Sequence, residues 1–172
     1  MRKILPAPTN TPDDAGPYLT LGMCYAHDPE TGAHDVTIHR MCLQGPDELT
    51  IYMVPGARHI GHFYEVAEAR GEALPISISI GVDPAIEVST CFEPPTTPLG
   101  YDELSIAGAL RDRPVELAPC LTIDELASRT PSTSSRARFC RTCVSPRTAN
   151  RAAASPCRNS PATRALPCLR SP

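Results

Sequence analysis

The chain has 172 residues, with 16 basic and 19 acidic side chains, 20 prolines, 8 cysteines and no tryptophan. That length suffices for one core of ordinary size, and no apolar run approaches the roughly 20 residues that a membrane span needs. Charge is segregated rather than mixed: residues 1–127 hold every acidic residue, whereas residues 128–172 hold nine arginines and no lysine, aspartate or glutamate. A change of sign this sharp places a boundary near Ala127.

The start is charged and its apolar stretch stops at Pro6. It does not read as a secretory signal, so the expected location is cytoplasmic. Residues 1–17, rich in Pro, Thr and Asp, read as an extended lead-in. Tyr18 to Tyr25 is a strand by its β-formers. Asp28-Pro29-Glu30-Thr31-Gly32 is a turn, and Val36 to Leu43 is the second strand of a hairpin. Gln44 to Asp47 turns again into a third strand, Leu49 to Val54, giving an antiparallel meander.

At His59 the period changes. Ile60, Phe63, Val66 and Ala67 fall at helical spacing, Glu65 and Glu68 take the other side, and Gly71 closes the helix. Pro75 to Gly81 alternates as a strand with its isoleucines on one face. Asp83 and Pro84 open a short helix as N-cap and first residue. Pro94 to Pro98 is a loop, Asp102 to Arg111 a helix and Val115 to Pro119 a last strand. The order predicts an α+β domain over residues 18–127 with mostly antiparallel strands. Residues 128–172, dominated by Arg, Ser, Pro and Ala, have neither period and are expected to be disordered.

Several motifs have plain explanations. His59-Ile60-Gly61-His62 spells a tetrapeptide of class I aminoacyl-tRNA synthetases, but it follows a meander rather than a parallel strand, and no lysine follows Lys3. Cys140 and Cys143, with Cys157 and Cys168, offer four zinc ligands, yet structural zinc sites use two close pairs. An RNA-binding role for the basic tail lacks stacking aromatics apart from Phe139, and no nucleic-acid partner is expected. Cys24, Cys42, Cys91 and Cys120 are widely spaced and read as reduced, mostly buried thiols.

Asp35, Arg40, His59 and Glu103 are polar residues whose spacing alone selects no chemistry. By spacing, Asp35 reads as a turn residue, Arg40 as a surface ion-pair partner, His59 as a helix start and Glu103 as solvated. However, Ala33 to Met41, Arg58 to His62 and Gly100 to Leu110 resemble, in order and separation, three segments of the UbiD-like decarboxylases that use prenylated FMN. Leu5 to Thr9, Asp28 to Gly32 and Gly81 to Ala85 add to the likeness.

The resemblance implies a split β-barrel of the flavin-binding type, flanked by helices. It implies Asp35, His59 and Glu103 as ligands of Mn²⁺ or Mg²⁺, with Asp35 standing where the family usually has Asn. Thr20, Arg40 and His59 are implied at the flavin, and Arg40 at the substrate carboxylate. The implied cofactors are prenylated FMN, Mn²⁺ or Mg²⁺, and K⁺. The implied partners are an aromatic or α,β-unsaturated acid as substrate and, for intact relatives, a second copy of the chain.

The family's proton-donating acids follow Arg40 at a distance, and none is found after Ala127. Read in a neighbouring frame with GC-rich codons, Ser128 to Val144 spells a segment of family character. Residues 128–172 are therefore expected to be an out-of-frame tail, and the fragment to be inactive. Two alternatives stay open: a non-catalytic flavin- or metal-binding remnant, and an interaction protein with a basic RNA- or zinc-binding tail.

Overall fold

The computed structural model describes residues 7–44, 48–54, 58–120, 125–128 and 140–144. Strands β1 (Tyr18–His27), β2 (His34–Leu43), β3 (Leu49–Ile51), β4 (Leu74–Ser79) and β7 (Cys140–Val144) form a sheet in the order β3-β2-β1-β4-β7. Every pairing in it is antiparallel. Helices α1 (His59–Ala69), α2 (Pro84–Ser89) and α3 (Glu103–Arg111) flank it, and β5 (Leu117–Pro119) pairs with β6 (Leu126–Ser128). The result is the expected α+β class, an antiparallel half-barrel.

The β1–β2 hairpin is closed by local chemistry. Asp28 accepts from the Glu30 amide and the Thr31 hydroxyl, while the Gly32 amide donates to the Asp28 carbonyl. This Asx-type arrangement satisfies turn groups that no strand can reach. The Gln44 amide bonds the Glu48 carbonyl across the next turn, whose residues 45–47 lie outside the described part. The third strand is shorter than its sequence predicts, ending at Ile51.

The register of β1 against β2 shifts between Leu19 and Gly22, where β1 carries an extra residue. A bulge reverses the alternation of side chains beyond it. Leu19 before the bulge, and Cys24 and Ala26 after it, pack in the same core with Ile60, Phe63 and Ala67 of α1. Met23 and Tyr25 point the other way, into a second core with Ile86 of α2 and with Leu104 and Ala107 of α3. β1 is thus buried on both faces. Gly22 lies at the bulge, where a Cβ would collide with the Met41 methyl and approach Ile78.

The helices stop and start where their residues dictate. Gly71 has φ +71, which only glycine adopts cheaply, and follows the last turn of α1. The side chains of Asp83 and Asp102 accept from the Ala85 and Leu104 amides, capping α2 and α3. Ile76 and Ile78 of β4 share one face as predicted, but Ser77 and Ser79 on the other face are equally buried.

Three readings need amendment. The lead-in is not simply extended: Asp14 accepts from the Asn10 and Thr11 amides and folds it into a turn. Cys91 is exposed, although Cys24 and Cys42 are buried, and the thiols of Cys24, Cys42, Cys91 and Cys120 are free. Cys140–Val144, expected to lack regular structure, pairs with β4 through its backbone. The physical reason is that a free strand edge takes any donor and acceptor row, and this segment lies between Pro131 and Pro146, the longest proline-free stretch after Ala127. The rest of residues 129–172, including Cys157 and Cys168, lies outside the described part. Among the described residues no helix is long and apolar enough to cross a membrane.

Candidate metal centre

β3 pairs only with Met41 to Leu43, so the first half of β2 has no strand on its outer side among the described residues. That is where three elements bring polar groups together. Asp35 stands near the start of β2, His59 is the first residue of α1, and Glu103 is the first residue of α3. α1 packs on one face of the sheet and α3 on the other. Their first residues meet Asp35 at this uncovered stretch.

The geometry is tight. His59 Nδ1 lies 3.2 Å from Asp35 Oδ1 and 3.6 Å from Glu103 Oε1. One ligand atom from each residue falls within 4.8 Å of the others, and all three side chains are buried. Each also keeps a second buried atom without a protein partner: Asp35 Oδ2, His59 Nε2 and Glu103 Oε2. Buried polar atoms are normally hydrogen-bonded, so three orphans in one place point to a missing positive partner. Two carboxylates and one imidazole are a mostly hard, oxygen-rich donor set that fits Mn²⁺ or Mg²⁺.

Electrostatics agree with that fit. Burial pushes the Glu103 carboxyl up to about 8, and the adjoining Asp35 adds to the rise. Burial likewise lifts Asp35 to about 6. Two carboxylates this close cannot both ionise cheaply without a cation between them. A bound metal would remove that conflict, releasing a proton as it enters.

Arg40 and Thr20 are elsewhere. Both are exposed, and both line an open pocket of about 310 Å³ with Asn10, Asp14, Tyr18 and Thr50 among its walls. None of Asp35, His59 and Glu103 belongs to that wall. The cause is strand periodicity: β2 is regular, and Arg40 stands five positions after Asp35, an odd step, so their side chains leave opposite faces. This pocket gathers Thr20 and Arg40 but not His59, the third residue that the resemblance implies at the flavin.

Two neighbours of the centre carry no sequence signal of function. Arg58 Nη1 donates to Glu93 Oε1 at 2.8 Å and to the Ile38 carbonyl at 3.3 Å. His39, buried nearby on β2, is pushed down to about 4 by burial and then by the Arg58 charge. In the pocket, Asp14 was read as part of a plain lead-in. Only its Asn10-Thr11-Pro12-Asp13-Asp14 turn chemistry could have marked it.

Known proteins resemble this chain in sequence and in fold. The family model described as UbiD, 3-octaprenyl-4-hydroxybenzoate carboxy-lyase Rift-related domain, matches residues 1–130. Gallate decarboxylase of Lactiplantibacillus plantarum is 52% identical over 127 residues, covering 74% of this chain and 26% of that protein. Among solved structures, apo 3,4-dihydroxybenzoic acid decarboxylase (AroY) of Klebsiella pneumoniae superposes with a TM-score of 0.73 at 49% identity. It covers 85% of this chain and 29% of its own. An evolved dimeric form of HmfF from Pelotomaculum thermopropionicum, in complex with prFMN, gives 0.74 at 39% identity, with 85% and 32% covered. The chain therefore spans between a quarter and a third of the length of these relatives.

Proposed function

The chain belongs to the UbiD family of carboxy-lyases, and from that premise we propose that residues 18–127 form the metal- and flavin-binding part of a decarboxylase for hydroxylated aromatic acids. In this reading Asp35, His59 and Glu103 would hold Mn²⁺ or Mg²⁺, whose charge would favour the phosphate of prenylated FMN, with K⁺ as a second cation. The bound flavin supplies the electron sink for the carbon that loses CO₂. Arg40 grips the substrate carboxylate, because a guanidinium binds a carboxylate through two parallel hydrogen bonds and keeps its charge. The hydroxyls of Thr20, Tyr18 and Thr50 line the same pocket and suit a ring that carries hydroxyl groups. Gallate and 3,4-dihydroxybenzoate, named in two relatives, support this choice of substrate class.

The observation that carries the reading is the meeting of three buried donors, each with an unpartnered atom, within the span of the family match. A non-catalytic metal- and flavin-binding remnant is the second reading. It is favoured by the Arg40 pocket, whose acid, Asp14, is held below the usual carboxylate range chiefly by the Thr11 backbone amide. Asp14 thus stays ionised and has no proton to deliver.

The test is a Mn²⁺ titration of the chain followed by electron paramagnetic resonance, then flavin binding with and without the metal. The expected outcome is one Mn²⁺ site abolished by His59→Ala, and FMN binding that needs Mn²⁺ while riboflavin, lacking phosphate, gains nothing from it. No Mn²⁺ binding, or binding indifferent to His59→Ala, would sink the proposal.

A further inference from the structure

Helix α1 delivers His59 to the centre, yet its start has no side-chain cap. Arg58, at the N-cap position, reaches sideways instead. One guanidinium nitrogen donates both to the Ile38 carbonyl of β2 and to the Glu93 carboxylate. Glu93 lies between α2 and α3, and its carbonyl accepts from the Thr96 and Thr97 amides, shaping the loop that leads to Glu103. The Arg58 contacts therefore join the three segments that present Asp35, His59 and Glu103.

Glu93 is itself part of the local field. Its Oε2 is buried without a partner. Burial raises its pKa, the Arg58 charge opposes that rise, and the charges of His59 and Glu103 are felt there too. It is close enough to sense the centre without being one of the three donors.

We propose that Arg58 and Glu93 are positioning residues for the metal centre, fixing the spacing of its three ligands by tying α1, β2 and the loop before α3 together. The inference rests on the metal reading of Asp35, His59 and Glu103. Partners that orient metal ligands are typically worth about 10–100-fold in metal affinity. Simple charge predicts the opposite sign for one of them: removing the Arg58 cation should tighten binding of a dication, whereas loosening the ligands should weaken it.

The experiment measures Mn²⁺ affinity of the 172-residue chain by electron paramagnetic resonance, with circular dichroism as the check on folding. Arg58→Ala is expected to weaken Mn²⁺ binding about tenfold or more. Arg58→Lys, which keeps the charge but replaces the rigid planar guanidinium with a flexible ammonium, should recover only part. The double change Arg58→Ala with Glu93→Ala, which removes both charges, should remain weak; return to wild-type affinity would mean that charge alone acts, and would overturn the proposal. Arg111→Ala breaks another partly buried ion pair, with Asp83 at 3.2 Å, and should leave Mn²⁺ affinity unchanged. If Arg58→Ala does not fold, Glu93→Gln keeps the shape and is expected to weaken binding while Arg111→Ala does not. Equal or tighter binding by Arg58→Ala refutes the inference while leaving the metal site standing. Failure of the wild-type chain to bind Mn²⁺ removes the metal reading and this inference with it.

Discussion

Asp35 and Arg40 lie on one strand, five residues apart, and occupy opposite kinds of environment. Asp35 belongs to a buried cluster in which each side chain keeps one polar atom without a partner, and Arg40 to an open pocket shared with Thr20, Cys42, Thr50 and Ile51. The difference teaches that neighbouring motif residues on a strand can serve two places at once. One face of β2 provides a site dry enough to hold a cation. The other provides a site open enough to admit an acid.

The largest expected effect follows from what each place lacks. The pocket has the guanidinium but an ionised Asp14, and Glu103, raised to about 8 without metal, gives up its proton when a cation binds. General acid help is worth about 10²–10⁴-fold in rate. The 172-residue chain, supplied with prenylated FMN and Mn²⁺, is therefore expected to release CO₂ from vanillate, gallate or 4-hydroxybenzoate no faster than the protein-free control. Measured CO₂ release above that control would mean that the two places already work as one.

A crossed substitution sharpens the comparison. Glu103→Ala should weaken Mn²⁺ by about 100-fold or more, since one of three ligands is gone, and leave binding of 3,4-dihydroxybenzoate to the metal-free chain unchanged. Arg40→Ala should weaken the acid by about tenfold, the order of a lost charge-assisted hydrogen bond, and leave Mn²⁺ untouched. Isothermal titration of both variants with both ligands decides it. If each variant damaged both ligands, the separation of the two faces would be wrong.

The phase of side chains on the two faces depends on the bulge at Gly22. Gly22→Ala would press its Cβ against the buried Met41 and close on Ile78. Overpacking of this kind costs about 1–3 kcal/mol, to be read from urea midpoints. A midpoint unchanged from wild type would show that Met41 can swing aside freely.

The smallest effect is a pH slope confined to the buried side. With Glu103 raised to about 8, the folded chain holds a proton that the unfolded chain has lost, so stability falls as pH rises through that value. Asp35, raised to about 6, acts in the same direction at lower pH. His34 and His39 have lowered values and act oppositely, but only below their ordinary 6.5. Between pH 6.5 and 8 the metal-free melting temperature should therefore drop by a few degrees. Glu103→Gln should flatten that slope, and Mn²⁺ should reverse it. A flat wild-type curve without metal would show Glu103 ionised throughout.

Much of this molecule is local and was legible in its residues. The Asp28–Gly32 turn, the caps at Asp83 and Asp102 and the stop at Gly71 each depend on atoms within a few positions of one another. The likeness to a decarboxylase family was legible too, because ordered motifs need no coordinates. Even the separation of Asp35 from Arg40 was contained in the alternation of β2. Other features were decided only by the tertiary structure. Three donors 24 and 44 residues apart meet because α1 and α3 pack on opposite faces and begin beside a stretch of β2 that no other described strand covers on its outer side. Ser77 and Ser79 are buried although their side of β4 reads as polar: β6 lies there and its Leu126 carbonyl accepts from the Ser77 hydroxyl, which an isolated strand pattern cannot tell. Cys140–Val144 joins β4 through its main chain, with no side-chain pattern to announce it. Sequence patterns record what each residue prefers next to its neighbours in the chain, whereas burial and convergence depend on which distant surfaces come to lie against it.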